Sequence, residues 1–335
     1  MNDSEPQAAG EAGGTVKNPG RLFFSVMGLF VGAVLLAALV APQVFNLLLW
    51  MGRRFPSMEN LRDLEFISMA SRCVLFFLLA GLYPAMRIGG LRSWNGLGLG
   101  RGGGWEFVRA FCLGAGTMLV IYAAGLLVGA FSFLTPDWGE VAGKSAAYLA
   151  GALLVGLIEE TVFRGALFGS LTRLVGFAGA ALFSSVFFSS VHFMEPDPAI
   201  GTVYGHWYSG FLLFSQAFRA VSGGPAFPFC VTLFLMGMVL CAFYQYYGRL
   251  HFSIGLHAGW VWLMRISDYF IQSDDKRWEV LFGQEAAVPR SWVAVGMMSV
   301  YLIVALLLLR RRQLQTCPAQ LNERRGIGNR QSKRS

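Results

Sequence analysis

Three ionisable residues interrupt an otherwise apolar stretch of the chain. Glu159, Glu160 and Arg164 lie within residues 143–171 (GKSAAYLAGALLVGLIEETVFRGALFGSL), a segment long and apolar enough to cross a membrane as a helix. An ionisable side chain at bilayer depth costs roughly 2.5–3.5 kcal/mol on insertion scales. Three of them so close together indicate an intramembrane site with a chemical or structural purpose.

The spacing suggests different roles for the two glutamates. Glu160 and Arg164 stand four residues apart, so on a helix they share one face and can neutralise each other. Glu159 is turned about 100° away and has no cation in register. A desolvated carboxylate without a cation takes up a proton readily, which suits a general base acting on water. The alternative is a buried ion network that only fixes helix packing.

Two of the four histidines lie in apolar segments. His192 ends FFSSVH and His257 lies in SIGLHAGWVW, whereas His206 falls in a polar loop and His251 at the start of an apolar segment. Two imidazoles beside a carboxylate could supply proton carriers and an oxyanion donor for hydrolysis. The same three groups could bind Zn²⁺, although neither HExxH nor HxxEH occurs in the chain.

The composition is that of a membrane protein. Of 335 residues, 55% are hydrophobic and 14% are charged, against about a quarter charged in soluble domains. The net charge of +8 does not indicate nucleic-acid binding, because eight of the 27 basic residues lie in a tail after residue 309. The five cysteines form no metal-binding spacing, and four of them lie in apolar stretches, where we interpret them as small core residues: Cys73, Cys112, Cys230 and Cys241.

We predict an all-α polytopic protein with eight transmembrane helices. The predicted spans are 22–50, 66–86, 105–134, 143–171, 175–194, 226–247, 250–271 and 291–309, with a loop at 195–225. They organise the chain into a disordered segment (1–20), three accessory helices (21–142), a core of helices four to seven (143–271), a loop with the final helix (272–309) and a basic tail (310–335).

Basic residues outside the spans predict the orientation. With eight spans both termini share one side, which then carries 15 Lys and Arg residues against eight on the other side. Cytoplasmic loops are enriched in these residues. We therefore predict cytoplasmic termini and an integral protein of a bacterial plasma membrane.

Helical geometry predicts how the site assembles. Spans four and five should form a hairpin with its turn near Leu174, which brings Glu159 and His192 to depths that differ by only about 5 Å. His257 lies about seven residues into its own span, so it reaches the same depth only if that helix starts deep in the membrane. We expect the three side chains to line one cavity.

Three motifs resemble those of one known family. EETVFR (159–164), FSSVH (188–192) and the segment 248–258 are similar to the motifs EExxxR, FxxxH and HxxxN or HxxxD of the CAAX prenyl protease and bacteriocin-processing (Abi) family of intramembrane proteases. The resemblance covers about residues 143–265 and implies a helical fold around a water-filled catalytic cavity. It implies a membrane-associated protein or peptide as substrate.

The resemblance also implies roles for individual residues. Glu159 and His192 would activate water, His257 would stabilise the oxyanion, and Glu160 with Arg164 would support the site. The family's residues fit a metalloprotease, in which Glu159, His192 and His257 would hold a divalent ion such as Zn²⁺, and they equally fit a metal-free glutamate mechanism. The identity of any cofactor stays open at this point.

One position departs from the family pattern. The last motif residue falls on Val261, which cannot donate a hydrogen bond. Loss of one oxyanion donor costs about 2.7–4 kcal/mol of transition-state stabilisation. Another donor could substitute, with Trp260, Trp262 and Ser253 nearby. Otherwise the chain would be a non-catalytic membrane scaffold or a bacteriocin-immunity protein. A proton-coupled transporter with Glu159 as carrier is a third possibility, although the chain lacks a visible internal repeat.

Overall fold

The computed structural model describes residues 18–91, 93–192, 206–215, 226–273, 276–283 and 287–332, the side chains of 226 and 316–332 excepted. Ten α-helices lie within these ranges: α1 (Pro19–Arg54), α2 (Phe66–Ile88), α3 (Gly104–Leu127), α4 (Trp138–Glu160), α5 (Gly169–His192), α6 (Ser209–Ser215), α7 (Ala226–Tyr247), α8 (His251–Ser267), α9 (Glu279–Phe282) and α10 (Trp292–Ser332). A π-helical segment (Thr161–Phe168) joins α4 to α5. Short 3₁₀ turns occupy Pro56–Asp63, Trp94–Leu97, Lys276–Trp278 and Val288–Arg290.

The predicted all-α membrane fold is confirmed, but the number of eight spans is not. Six helices of the described chain are long and apolar enough to cross a membrane. The predicted fourth and fifth spans form one helical run of 55 residues, Trp138–His192. The predicted seventh span corresponds to α8, which has only 17 residues. The count of six therefore treats the 55-residue run as one helix and leaves out the short α8.

Two predicted spans end earlier than expected because their last apolar residues form strands. β1 (Phe131–Phe133) follows α3, and β2 (Ile271–Ser273) follows α8. The two strands pair antiparallel, with Phe131 opposite Ser273. The predicted segments 105–134 and 250–271 thus each combine a helix with part of a small sheet.

The long run Trp138–His192 folds back on itself at a glycine. Gly176 has φ 76° and ψ 176°, a conformation that a residue with a side chain rarely adopts. Beyond this break, the hydroxyl of Ser184 donates to the Phe163 carbonyl at 3.3 Å, and the rings of Phe163 and Phe188 lie 5.0 Å apart. The predicted hairpin is present, with its turn two residues beyond Leu174.

Helix α8 lies in the centre of the bundle. Its glycines permit close packing against α3, since a Cβ added at Gly255 or Gly259 would collide with the carbonyl of Phe107 or Phe111. All residues from Phe252 to Trp260 are buried. Because this short helix is central, His257 lies deep in the protein, as it must if it is to line one cavity with Glu159 and His192.

The polar segments fall mostly outside the described residues. Of the segment 1–20, only 18–20 is described, and α1 begins there. Of the loop 195–225, residues 206–215 are described and contain α6. Gly210 of this helix packs closely against the Ala38 carbonyl of α1, where a Cβ would collide. Helix α10 continues from the final predicted span through most of the basic tail.

Candidate active site

The predicted ion pair is present at the end of α4. The Nη1 group of Arg164 donates to Oε1 of Glu160 at 2.9 Å, and both side chains are fully buried. The four-residue spacing keeps the two side chains on one face although Arg164 lies in the π-helical segment. A buried charge is tolerated only when it is paired, so this contact stabilises both residues inside the bundle.

Glu160 has a second partner that the sequence did not reveal. The same oxygen, Oε1, accepts a hydrogen bond from Nδ1 of His257 at 3.0 Å. The two residues are 97 positions apart, so no local spacing signals the contact. Glu160 therefore joins Arg164 to His257, and it fixes the orientation of the imidazole.

His192 is oriented by a backbone group of its own helix. Its Nδ1 lies 2.9 Å from the carbonyl oxygen of Phe188. Because a carbonyl can only accept, Nδ1 must carry the proton, and the lone pair of a neutral ring then lies on Nε2. The carboxylate of Glu160 imposes the same tautomer on His257.

The two imidazoles face one oxygen of Glu159. Oε2 of Glu159 lies 3.9 Å from Nε2 of His192 and 3.9 Å from Nε2 of His257. The predicted convergence of the three side chains is therefore confirmed as geometry. The separations exceed direct hydrogen-bond distance, and Oε2 of Glu159 has no hydrogen-bond partner among the described residues. Three acceptors that face one another without a donor form a site for a small donor such as water.

These positions coincide with a domain of a known family. Residues 142–263 match the family model described as type II CAAX prenyl endopeptidase Rce1-like. This segment of the chain is thus similar to an Rce1-like domain. The matched segment includes Glu159, Glu160, Arg164, His192 and His257. No curated protein and no solved structure matches the chain.

The matched segment exposes its two glutamates differently. The side chain of Glu159 is 23% exposed and that of His192 is 29% exposed, whereas His257 is 3% exposed and Glu160 is fully buried. The segment Thr161–Phe168 that follows is buried throughout. The partly exposed side of the site is therefore that of Glu159 and His192, although Oε2 of Glu159 is itself buried, and the Glu160–Arg164 pair closes the opposite side.

The donors around Glu159 lie farther apart than the ligands of a tetrahedral Zn²⁺ site. Zn²⁺ binds nitrogen and oxygen at about 2.0–2.2 Å, which in a tetrahedron places neighbouring donors roughly 3.3–3.6 Å apart. Both separations from Glu159 are larger, at 3.9 Å. In the part of the chain that the structure describes, no group of three or more His, Cys, Asp or Glu side chains is arranged to hold a metal. Nothing in the chemistry below is therefore assigned to a metal.

Among the residues near Val261, the indole N–H groups of Trp260 and Trp262 are buried and have no hydrogen-bond partner among the described residues, whereas Ser253 is engaged. Val261 is partly exposed and lies one turn after His257. The hydroxyl of Ser253 donates to the Leu240 carbonyl at 3.2 Å, so its proton is already used. The ring of Trp260 packs against Tyr301, and that of Trp262 packs against Phe111, which directs the two indoles toward α10 and α3. The departure at Val261 thus persists in the folded domain.

The other two histidines have different surroundings. The ring of His206 stacks on Tyr208 with a centroid distance of 5.1 Å. The ring of His251 packs closely beside Gly103, at the start of α3. Neither forms an ion pair with Glu159 or Glu160 in the described structure.

Proposed function

We propose that this integral membrane protein is an intramembrane endopeptidase in which Glu159 and His192 activate water. The observation that supports this function best is the convergence of one carboxylate oxygen and two imidazole nitrogens, each 3.9 Å from Glu159 Oε2. A water molecule placed among them could donate one hydrogen to Glu159 and the other to His192. Its oxygen would then present a lone pair toward a substrate on the accessible side.

The reaction follows from the acid–base properties of these groups. As the water oxygen bonds to the carbonyl carbon, Glu159 takes up one of the water protons. The proton then passes to the nitrogen of the leaving amine as the C–N bond breaks, which restores the carboxylate. The products are a new carboxyl group and a free amine, and no further reactant is needed.

His257 is the proposed oxyanion donor. It can serve when Nε2 also carries a proton, and the carboxylate of Glu160 supports the resulting cation through Nδ1. Arg164 shares that carboxylate, so the pair holds the imidazole in place without a free charge in the core. The donor that an Asn would add at position 261 is missing, so we expect a slow enzyme.

The substrate class is proposed from the family description. A CAAX prenyl endopeptidase acts on chains that end in a lipid-modified cysteine followed by three residues. Such a chain is membrane-associated, which agrees with a site inside a helical bundle. We propose membrane-anchored peptides of this kind as the first substrates to test, presented to the protein in a lipid bilayer.

The test is cleavage by the purified protein in lipid vesicles. A library of peptides with and without a prenylated cysteine is incubated with wild type and with Glu159→Ala, and the products are identified by mass spectrometry. The proposal predicts cleavage at defined bonds by wild type only. If neither protein cleaves any member, while the cellular phenotype survives in Glu159→Ala, the chain acts as a non-catalytic scaffold.

We also propose that both termini lie in the cytoplasm of a bacterial cell, as the distribution of basic residues predicts. Cysteine residues introduced near Arg21 and Arg312 should react with a membrane-permeant reagent and resist an impermeant one in intact cells. Labelling of either site by the impermeant reagent would reverse the orientation.

A further inference from the structure

Phe188 occupies the centre of the group of residues just described. Its ring is fully buried, and the guanidinium carbon of Arg164 lies 4.4 Å from the ring centroid. This is well inside the range of a cation–π interaction, which strengthens when both partners are removed from water. Nε and Nη2 of Arg164 have no hydrogen-bond partner among the described residues. The ring of Phe188 is therefore the nearer of two aromatic rings beside this buried cation, the other being Phe163 at 5.8 Å, and Glu160 is its ion-pair partner.

The same ring contacts both histidines. The centroid of His192 lies 4.6 Å from that of Phe188, with the planes inclined at 57°. The ring of His257 lies 6.3 Å away and nearly perpendicular, at 80°. The carbonyl of Phe188 also accepts the hydrogen bond from Nδ1 of His192. One residue thus touches Arg164, His192 and His257.

We propose that Phe188 is a positioning residue that controls how Glu160 is shared between Arg164 and His257, an inference that rests on the proposed proteolysis. Oε1 of Glu160 accepts hydrogen bonds from both partners, at 2.9 Å and 3.0 Å. The π face of Phe188 offsets part of the charge of Arg164. Without it, Arg164 draws Glu160 closer, the bond to His257 weakens, and Nε2 of His257 loses its direction toward Glu159.

Core packing is the simpler explanation for a buried phenylalanine, and the neighbouring residue provides its control. Phe187 belongs to the same helix and packs against the same cluster, with its ring 5.0 Å from Phe30 and 6.0 Å from Phe163. No ring contact joins Phe187 to Arg164, His192 or His257 in the described structure. A role in packing alone would make the two positions respond alike.

The experiment replaces Phe188, and separately Phe187, by phenylalanine analogues with one, two and three ring fluorines. Fluorine withdraws charge from the π face and changes the shape little, so folding is retained. We expect kcat to fall stepwise at position 188, with KM unchanged, and no trend at position 187. Phe188→Leu should lower kcat roughly tenfold, the size expected for a desolvated cation–π contact. A flat series at position 188, or equal trends at both positions, overturns the inference and leaves the proposed proteolysis standing.

A second measurement does not depend on activity. In ¹⁵N-histidine-labelled wild-type protein, the signals of His192 and His257, assigned with His192→Gln and His257→Gln, should show protonated Nδ1 and bare Nε2. In Phe188→Leu, the Nδ1 proton signal of His257 should move upfield because its hydrogen bond to Glu160 weakens, while Phe187→Leu should match wild type. If the Nδ1 proton signal of His257 is unchanged in Phe188→Leu, the inference fails whether or not the protein cleaves peptides.

Discussion

The last turns of α4 and the segment Thr161–Phe168 belong to one helical run but have opposite surroundings. In α4, large apolar side chains such as Leu154 and Leu157 are exposed, and Glu159 keeps a quarter of its side chain accessible. After Glu160 every residue as far as Phe168 is buried, and the helix widens to a π-helix. Burial thus alternates with exposure up to Glu159 and becomes continuous from Glu160 to Phe168.

This difference explains how two identical side chains can have separate roles. Glu160 begins the buried segment and is held by Arg164 and His257. Glu159 directly precedes the buried segment, and the imidazoles of His192 and His257 lie 3.9 Å from its Oε2, beyond hydrogen-bond distance. A carboxylate whose Oε1 accepts two hydrogen bonds supports structure, whereas one that accepts none at Oε2 from the described residues can take up a proton from water.

The largest effect should come from Glu159→Gln. The amide keeps the shape but cannot accept the proton of the water, and general base catalysis is worth about 10²–10⁴-fold. We expect kcat to fall by this factor while the folded yield stays near that of wild type. Size-exclusion profiles and initial rates of peptide cleavage measure the two quantities. Glu160→Gln should lower the folded yield as well, so loss of yield in Glu159→Gln alone would reverse the assignment.

Arg164→Ala tests the buried segment directly. Removal of the guanidinium leaves Glu160 as an unpaired charge in the core, and breaking a buried pair costs about 3–5 kcal/mol. The folded yield and the melting temperature should drop sharply. Arg173→Ala is the matched control, because Arg173 is exposed near the turn of the hairpin and should tolerate the change. A well-folded, active Arg164→Ala protein would contradict the division between the glutamates.

Val261→Asn tests whether the site around Glu159 lacks one oxyanion donor. The asparagine would lie one turn from His257 and could donate to the oxyanion, a contact that strengthens chiefly in the transition state. We expect kcat to rise by about one to three orders of magnitude with little change in KM. An unchanged or lower kcat would indicate that another donor already serves, and alanine substitution of Trp260 and Trp262 would identify it.

Alanine substitution of two glycines on the same helical run should change the free energy of unfolding in different directions. A Cβ at Gly165 would lie 3.0 Å from the Leu97 carbonyl, whereas a Cβ at Gly151 meets nothing within 4 Å. Gly165→Ala should destabilise the protein by about 1–3 kcal/mol through overpacking. Gly151→Ala should be neutral or stabilise it by up to about 1 kcal/mol through helix propensity. Thermal unfolding of both variants measures the difference, and equal shifts would argue against the contrast in packing.

Chelation should have the smallest effect. Since the donor separations around Glu159 exceed those of a tetrahedral Zn²⁺ site, we expect treatment with EDTA followed by desalting to leave the cleavage rate unchanged. Loss of activity on chelation, with recovery on addition of Zn²⁺ but not Mg²⁺, would show that Glu159, His192 and His257 close around an ion during the reaction.

Local spacing predicted part of this site well. The four-residue interval identified the Glu160–Arg164 pair, and a depth estimate from the hairpin brought Glu159 and His192 together. The number of eight spans is not confirmed, and the ends of two spans were placed too late because an apolar run does not reveal where a helix gives way to a strand, as at Phe131. The contact of His257 with Glu160 depends on the tertiary packing of α8 against its neighbours, for which one sequence carries no signal.

The ring of Phe188 shows a different limit of sequence reasoning. As part of FSSVH it marked the motif, but a phenylalanine in an apolar helix is usually interpreted as core. Its position between Arg164 and the two histidines follows from the fold of the hairpin and α8 together. Similarly, the π-helical segment leaves no periodic pattern that distinguishes it from the α-helix on either side.

The central claim is that Glu159 directs water onto a peptide carbonyl, and cleavage in H₂¹⁸O tests it most directly. A peptide cleaved by wild type is digested under single-turnover conditions, and both products and the intact protein are weighed by mass spectrometry. The account predicts one ¹⁸O atom in the new carboxyl group, none in the protein, and no product with Glu159→Gln. Label in the protein, or labelled product at the wild-type rate from Glu159→Gln, would contradict it.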